Sequence, residues 1–165
     1  MKAKTHTITL LGVSTAAAMV LAYVETLIPV PFAVPGVKIG LANTVAVFLL
    51  VKRGWKAALP VSIIRVLLSS LMFGNFASFA YSVSGALLSM LAMIAAMKTG
   101  KLSEIGVSVI GAVFHNAGQI IMAIALTGTK EIAFWLPPLI ISGIVTGIAV
   151  GTVAVLLVKK IDLKQ

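Results

Sequence analysis

The chain of 165 residues has no cysteine, only four acidic residues, and one aspartate, Asp162. The missing cysteine excludes disulfides, thiolate metal sites and cysteine nucleophiles. The shortage of carboxylates removes the oxygen ligands that a hard cation requires. No Walker A, HExxH, GxSxG or GxGxxG stretch occurs, so nucleotide hydrolysis, zincin and serine-hydrolase chemistry and dinucleotide binding all lack their residues. Charged residues of both signs make up 10% of the chain and aromatics 7%. A chain so poor in reactive groups is expected to be no enzyme and to carry neither cofactor nor metal.

Hydrophobic residues dominate instead, at 60% of the sequence with a mean hydropathy of +1.14. That balance belongs to a chain whose solvent is lipid. At roughly 20 apolar residues per crossing, the length accommodates about six helices with short connections. Six spans can be drawn, Thr7 to Ile28, Val37 to Val51, Ala57 to Phe73, Phe76 to Met97, Ser103 to Leu126 and Pro137 to Val158. An all-α, polytopic, single-domain membrane protein is expected. The second span is short, and the Pro29, Pro31 and Pro35 stretch before it suggests an apolar loop folded over the outer face. Lys2 and Lys4 ahead of an apolar run resemble a signal peptide, but the run is longer than a signal core and carries Glu25, so a retained first helix is expected.

The formal charge of +9 raises the question of nucleic acid, and its distribution argues against that partner. Lys2, Lys4, Lys52, Arg53, Lys56, Lys98, Lys101, Lys159, Lys160 and Lys164 fall at the N-terminus, the second and fourth loops and the C-terminus. In a six-span chain those segments share one side, and basic residues in short loops stay cytoplasmic. Both termini are therefore expected inside. The basic clusters serve topology alone or, less simply, contact anionic lipid or a protein.

Polar residues within the spans carry the functional signal, since an ionisable group at bilayer depth is costly and commonly faces a cavity or a partner. At 1.5 Å per residue, Glu25 lies roughly 5 Å and Arg65 and Gln119 roughly 12 Å below the outer ends of their helices. Lys38, Asn43 and Asn75 also belong to the outer half, and His115 comes near the midplane. Ser62, Arg65 and Ser69 form one stripe on the third span; Ser108, Gly111, His115 and Gln119 form another on the fifth, with Asn116 at its edge. Two such stripes on greasy cylinders are how a pocket between helices is lined, and their bias toward one leaflet suggests a cavity open to the outside. Alternatives stand beside this reading. Arg65 could pair with Glu25 as a buried strut, His115 could be a satisfied core histidine, Asn43 and Asn75 could cap helix ends, and Lys38 could snorkel to the interface.

Small residues supply close packing. Gly143, Gly147 and Gly151 make a GxxxGxxxG run on the last span, suited to internal packing or to a subunit interface. Ser14, Ala18 and Ala22 make a similar stripe on the first span, within roughly 80° of Glu25 on the helical wheel. Val61-Ser-Ile-Ile-Arg65 is echoed by Val107-Ser-Val-Ile-Gly111, too briefly to establish a repeat.

Pro35-Gly-Val-Lys-Ile-Gly-Leu-Ala-Asn43, Arg65-Val-Leu-Leu-Ser-Ser-Leu-Met-Phe-Gly-Asn75, Tyr81-Ser-Val-Ser-Gly85, Gly111-Ala-Val-Phe-His-Asn-Ala-Gly-Gln119 and Ser142-Gly-Ile-Val-Thr-Gly147 together resemble the Gx transporter family, also described as heptaprenyl diphosphate synthase component I. The similarity covers nearly all the spans. That family resembles the substrate-binding, or S, components of energy-coupling factor transporters, six-helix proteins of the bacterial plasma membrane that capture a vitamin-like solute outside. A transmembrane coupling protein and cytoplasmic ATPases energise that class, which docks through an AxxxA motif on its first helix; Ala18-Met-Val-Leu-Ala22 matches it. The synthase label would imply prenyl transfer, yet prenyl diphosphate synthases use DDxxD segments that this chain lacks.

The resulting expectation is a membrane-embedded solute-binding subunit, in contact with lipid, whose cavity is lined by Glu25, Lys38, Asn43, Arg65, Asn75, His115, Asn116 and Gln119. Arg65 and Lys38 would attract carboxylate or phosphate, Glu25 would neutralise them or meet an amine, and the amides would orient the ligand. A small anionic or zwitterionic metabolite fits that mixture. An accessory membrane protein of isoprenoid or quinone synthesis and a non-transport membrane scaffold are the competing readings.

Overall fold

The computed structural model describes residues 2–27 and 40–161, which are helical apart from short connections and contain no strand. Six α-helices follow one another: α1 Lys2–Leu27, α2 Asn43–Arg53, α3 Trp55–Phe73, α4 Phe76–Lys98, α5 Glu104–Thr127 and α6 Leu136–Lys160, with a 3₁₀ turn over Lys130–Trp135. Five of them, all but α2, are long and apolar enough to cross a membrane.

Local chemistry sets the boundaries. Ser103 caps α5 by accepting the Gly106 N–H at 3.2 Å, and Glu104 in the first turn complements the helix dipole. Gly128, at φ 70°, closes the same helix in the left-handed conformation that favours glycine. Gly54, at φ 77°, ends α2 and starts α3 within a single residue. Pro137 and Pro138 occupy the first turn of α6, where a missing N–H costs little.

The expected second span, Val37 to Val51, needs correction. Its helix begins at Asn43, six residues late, and at 11 residues it is about 16 Å long, well short of a hydrocarbon core of about 30 Å. Residues 28–39, with the three prolines, lie outside the described residues. Within α2 every residue from Thr44 to Leu50 is buried, the signature of a helix enclosed by protein rather than facing lipid. It packs on α1, α3, α5 and α6.

Neighbouring helices close a ring, α3 on α4, α4 on α5, α5 on α6, α6 on α2 and α2 back on α3, while α1 touches only α2 and α3 among the described residues. Glycines set the closest approaches. A Cβ on Gly118 would lie 2.8 Å from the Ser84 carbonyl oxygen of α4, and one on Gly147 would lie 2.6 Å from Val109 Cα of α5. Gly143 and Gly151 face α5 in the same way, so this glycine run packs inside the bundle. These pairings fix α4, α5 and α6 as antiparallel neighbours. The Tyr23 and Phe73 rings, 5.5 Å apart, bring the ends of α1 and α3 together. Lys52, Arg53, Lys56, Lys98, Lys101, Lys159 and Lys160 consequently gather at one end of the bundle. The outer faces carry an apolar belt that includes Leu71, Phe76, Leu91, Ile121, Ile141 and Val145.

Ala18 is 2% exposed and belongs to the hydrophobic core. Of the pair Ala18 and Ala22, the first is thus covered by this chain's own helices and the second is half-buried.

Replacing Gly147 by alanine is expected to lower stability in detergent by about 1–3 kcal/mol, since the added carbon meets α5 backbone that cannot rotate away. Gly12→Ala, with nothing within 4 Å of the new carbon, is the matched control and should leave the melting temperature unchanged or raised. Thermal melts of the two purified variants check this.

Candidate functional site

Inside the helical ring lies a cavity of about 80 Å³ to which all six helices contribute. Its polar walls are Glu25 from α1, Asn43 from α2, Ser62 and Arg65 from α3, Ser82 and Ser89 from α4, Ser108, His115, Asn116 and Gln119 from α5, and Thr146 from α6. Gly40, Met90, Met93 and Gly111 are among the remaining wall residues. At about 30 Å³ per water, the volume holds two or three waters.

The charged groups sit at the end remote from the basic loops. Arg65 Nη2 donates to Asn43 Oδ1 at 3.3 Å, tying α3 to the first turn of α2. The Glu25 carboxylate accepts the Gly40 N–H, which fastens the end of α1 to the segment entering α2. No ion pair within 4.0 Å joins Glu25 to Arg65 among the described residues, so the expected alternative of a direct strut does not describe this pair. The carboxylate still acts on the guanidinium through space. Among the described residues, most of the guanidinium's donors remain for a ligand or water.

On α5 the face Ser108, Gly111, His115, Gln119 repeats at helical spacing, with Asn116 beside it. Asn116 is half committed: Nδ2 donates to the Leu139 carbonyl of α6 at 2.7 Å, which leaves its Oδ1 as acceptor. Gly85 of α4 lets His115 approach, since a Cβ there would stand 2.8 Å from the His115 carbonyl and 3.0 Å from the ring. The imidazole is thereby wedged against α4 backbone at the cavity wall.

Six of the eight expected residues, Glu25, Asn43, Arg65, His115, Asn116 and Gln119, thus meet at one cavity. Asn75 does not. It is exposed and is the N-cap of α4, its Oδ1 accepting the Ser78 N–H at 2.8 Å. That geometry corrects the expected cavity role for Asn75, because a capping oxygen is tied to the helix end. Lys38 lies outside the described residues. Ser69, on the α3 stripe, turns away and donates to Met19 Sδ at 3.4 Å. The sequence reading missed the α4 wall, where Ser82, Ala86, Ser89 and Met93 recur at helical spacing. Serine is so cheap to bury in a helix that only this periodicity could have flagged it.

The cavity also reaches further than an outer-half site. Ser108 and Gln119 are eleven residues apart on α5, so the lined stretch extends about 16 Å along that helix, down to its second turn.

A family model described as heptaprenyl diphosphate synthase component I matches residues 14–157, most of the chain. No curated protein and no solved structure matches it.

Substituting Asn75 by alanine is expected to cost about 1 kcal/mol through loss of the α4 cap. It should leave the binding of any solute retained by the wild-type protein unchanged within error. Paired melting and equilibrium-binding measurements on the variant check both parts.

Proposed function

We propose that this chain, which belongs to the heptaprenyl diphosphate synthase component I family, is a membrane solute-binding subunit that captures a small anionic or zwitterionic metabolite in its central cavity. The observation that carries the proposal is the convergence of Arg65, Glu25 and three amide side chains on a single hollow between membrane-spanning helices. Ionisable groups are kept at such depth at a cost, and a ligand or ion path is the usual return. Arg65 would hold a carboxylate or phosphate by charge-assisted hydrogen bonds, Glu25 would face an amine or balance the charge, and Asn43, Asn116 and Gln119 would orient the remainder.

The clustering of basic residues at one end supports an orientation with that end, and both termini, in the cytoplasm. The charged part of the cavity would then face outward, as uptake from the cell exterior requires. The chain has no nucleotide-binding motif, which fits a subunit energised by a separate coupling protein and ATPases of the energy-coupling factor kind. In that arrangement it is a binding protein and no enzyme. The present volume is that of a few waters, so a solute would be admitted as the helices part.

The family's description favours a second reading, an accessory membrane role in prenyl diphosphate synthesis. Among the described residues no three His, Cys, Asp or Glu side chains cluster to hold a metal, and the lone aspartate stands in the terminal tail. A role in that pathway would therefore place the chemistry on a partner.

Arg65→Gln separates a binding site from a scaffold. The variant should remain folded and monodisperse while losing at least about tenfold in affinity for the anionic solute that mass spectrometry finds on the wild-type protein, the loss of one charge-assisted contact. Retained affinity, or collapse of the fold in both Arg65→Gln and Arg65→Lys, would count against solute capture. Copurification with an ATPase and coupling subunit, as opposed to a soluble prenyl synthase, decides between the two pathways.

A further inference from the structure

Two buried side-chain oxygens have no hydrogen-bond partner among the described residues, Ser62 Oγ and Ser108 Oγ, and both line the central cavity. They stand on α3 and α5, two helices that make no contact with one another, and both residues line the hollow; Ser108 Oγ also lies 3.2 Å from where a Cβ on Gly151 of α6 would stand. Ser62 is one turn nearer the basic end than Arg65, and Ser108 is two turns nearer that end than His115. Ser62 and Ser108 are 5% and 3% exposed. Leaving a buried hydroxyl unpaired costs roughly 1–3 kcal/mol, and alanine at either position would avoid that cost.

The cavity accordingly has two chemically different ends. At one, Arg65 and Glu25 carry charge. At the other the polar groups are hydroxyls, accompanied by the thioethers of Met90 and Met93, with no ionised residue lining that part among the described residues. A second charge there would be unpaired and expensive, whereas a neutral group that both donates and accepts would satisfy the two orphaned serines.

We propose that Ser62 and Ser108 form a tail subsite, and that the solute is an extended small anion whose far end is a neutral hydroxyl or amide. This inference rests on the solute-binding reading above, and it goes further in assigning the opposite end of the ligand. The anionic head sits at Arg65, a short apolar link passes the methionines, and the neutral tail exchanges hydrogen bonds with the two serines.

Hexanoate, ω-hydroxyhexanoate and adipate, together with hexyl phosphate and ω-hydroxyhexyl phosphate, are the probes, titrated calorimetrically into purified wild-type, Ser62→Ala and Ser108→Ala protein. With either head group the ω-hydroxy compound should bind about tenfold tighter than its unsubstituted partner, and adipate more weakly than ω-hydroxyhexanoate. Each alanine variant should erase most of that advantage while leaving hexanoate affinity unchanged. Because these substitutions remove an unsatisfied group, they should fold at least as well as wild type, and a melt confirms it. Equal binding of hydroxylated and plain probes, a preference for adipate, or an advantage that survives both substitutions would overturn the tail subsite while leaving solute capture standing. Failure of every probe to bind would overturn both readings together.

Discussion

An arginine held within a bundle of hydrophobic helices is the constraint around which this molecule is arranged. Moving a guanidinium to bilayer depth costs several kcal/mol unless donors are satisfied and charge is balanced. Here the partner is an amide, Asn43, and the compensating carboxylate acts across space instead of in contact. A tight Arg65–Glu25 pair would have closed the cavity with its own charges. Holding Glu25 on a backbone N–H of Gly40 keeps the two charges apart and the space between them available.

That separation depends on α2. Because this helix is 11 residues long and wrapped by its neighbours, its first turn ends at the level of the charges and presents Asn43 to Arg65. A full-length helix would carry apolar side chains past this level. The glycine contacts have the complementary effect on the opposite side of the ring. Gly85, Gly118, Gly143, Gly147 and Gly151 pull α4, α5 and α6 into backbone contact, so the remaining free space is concentrated centrally and not spread along the seams. Glycine seams of this kind supply the packing that lipid, being as apolar as the side chains, does not drive.

Much of this was legible in the sequence because the signals are strong. Long apolar runs locate α1, α3, α4, α5 and α6 to within a few residues, since no other structure satisfies backbone polar groups in lipid. Arg65, His115 and Gln119 announce themselves by cost. The length of α2 was not legible, because seven consecutive apolar or small residues buried in protein look the same as seven facing lipid. Asn75 was ambiguous in the same sense: an asparagine two residues beyond a helix end serves equally as a cap or as a ligand group, and only the Ser78 hydrogen bond decides. The α4 serines were silent for an energetic reason, as a hydroxyl can return its hydrogen bond to its own helix.

The contrast between the two halves of the cavity bears on how the family description and the site relate. A diphosphate carries its charge in one compact head and needs metal or several cations around it, whereas the described residues of this hollow offer one arginine, one carboxylate and a ring of neutral donors and acceptors. Its electrostatics are nearly balanced, so a ligand bearing about one net charge is accommodated and a multiply charged one is penalised by uncompensated repulsion and desolvation. Chain-long prenyl groups would also require an opening toward lipid, and the glycine-sealed contacts of α5 with α4 and α6 close that side of the bundle. If the cavity binds a solute as proposed, its physical character favours a small polar one over a diphosphate.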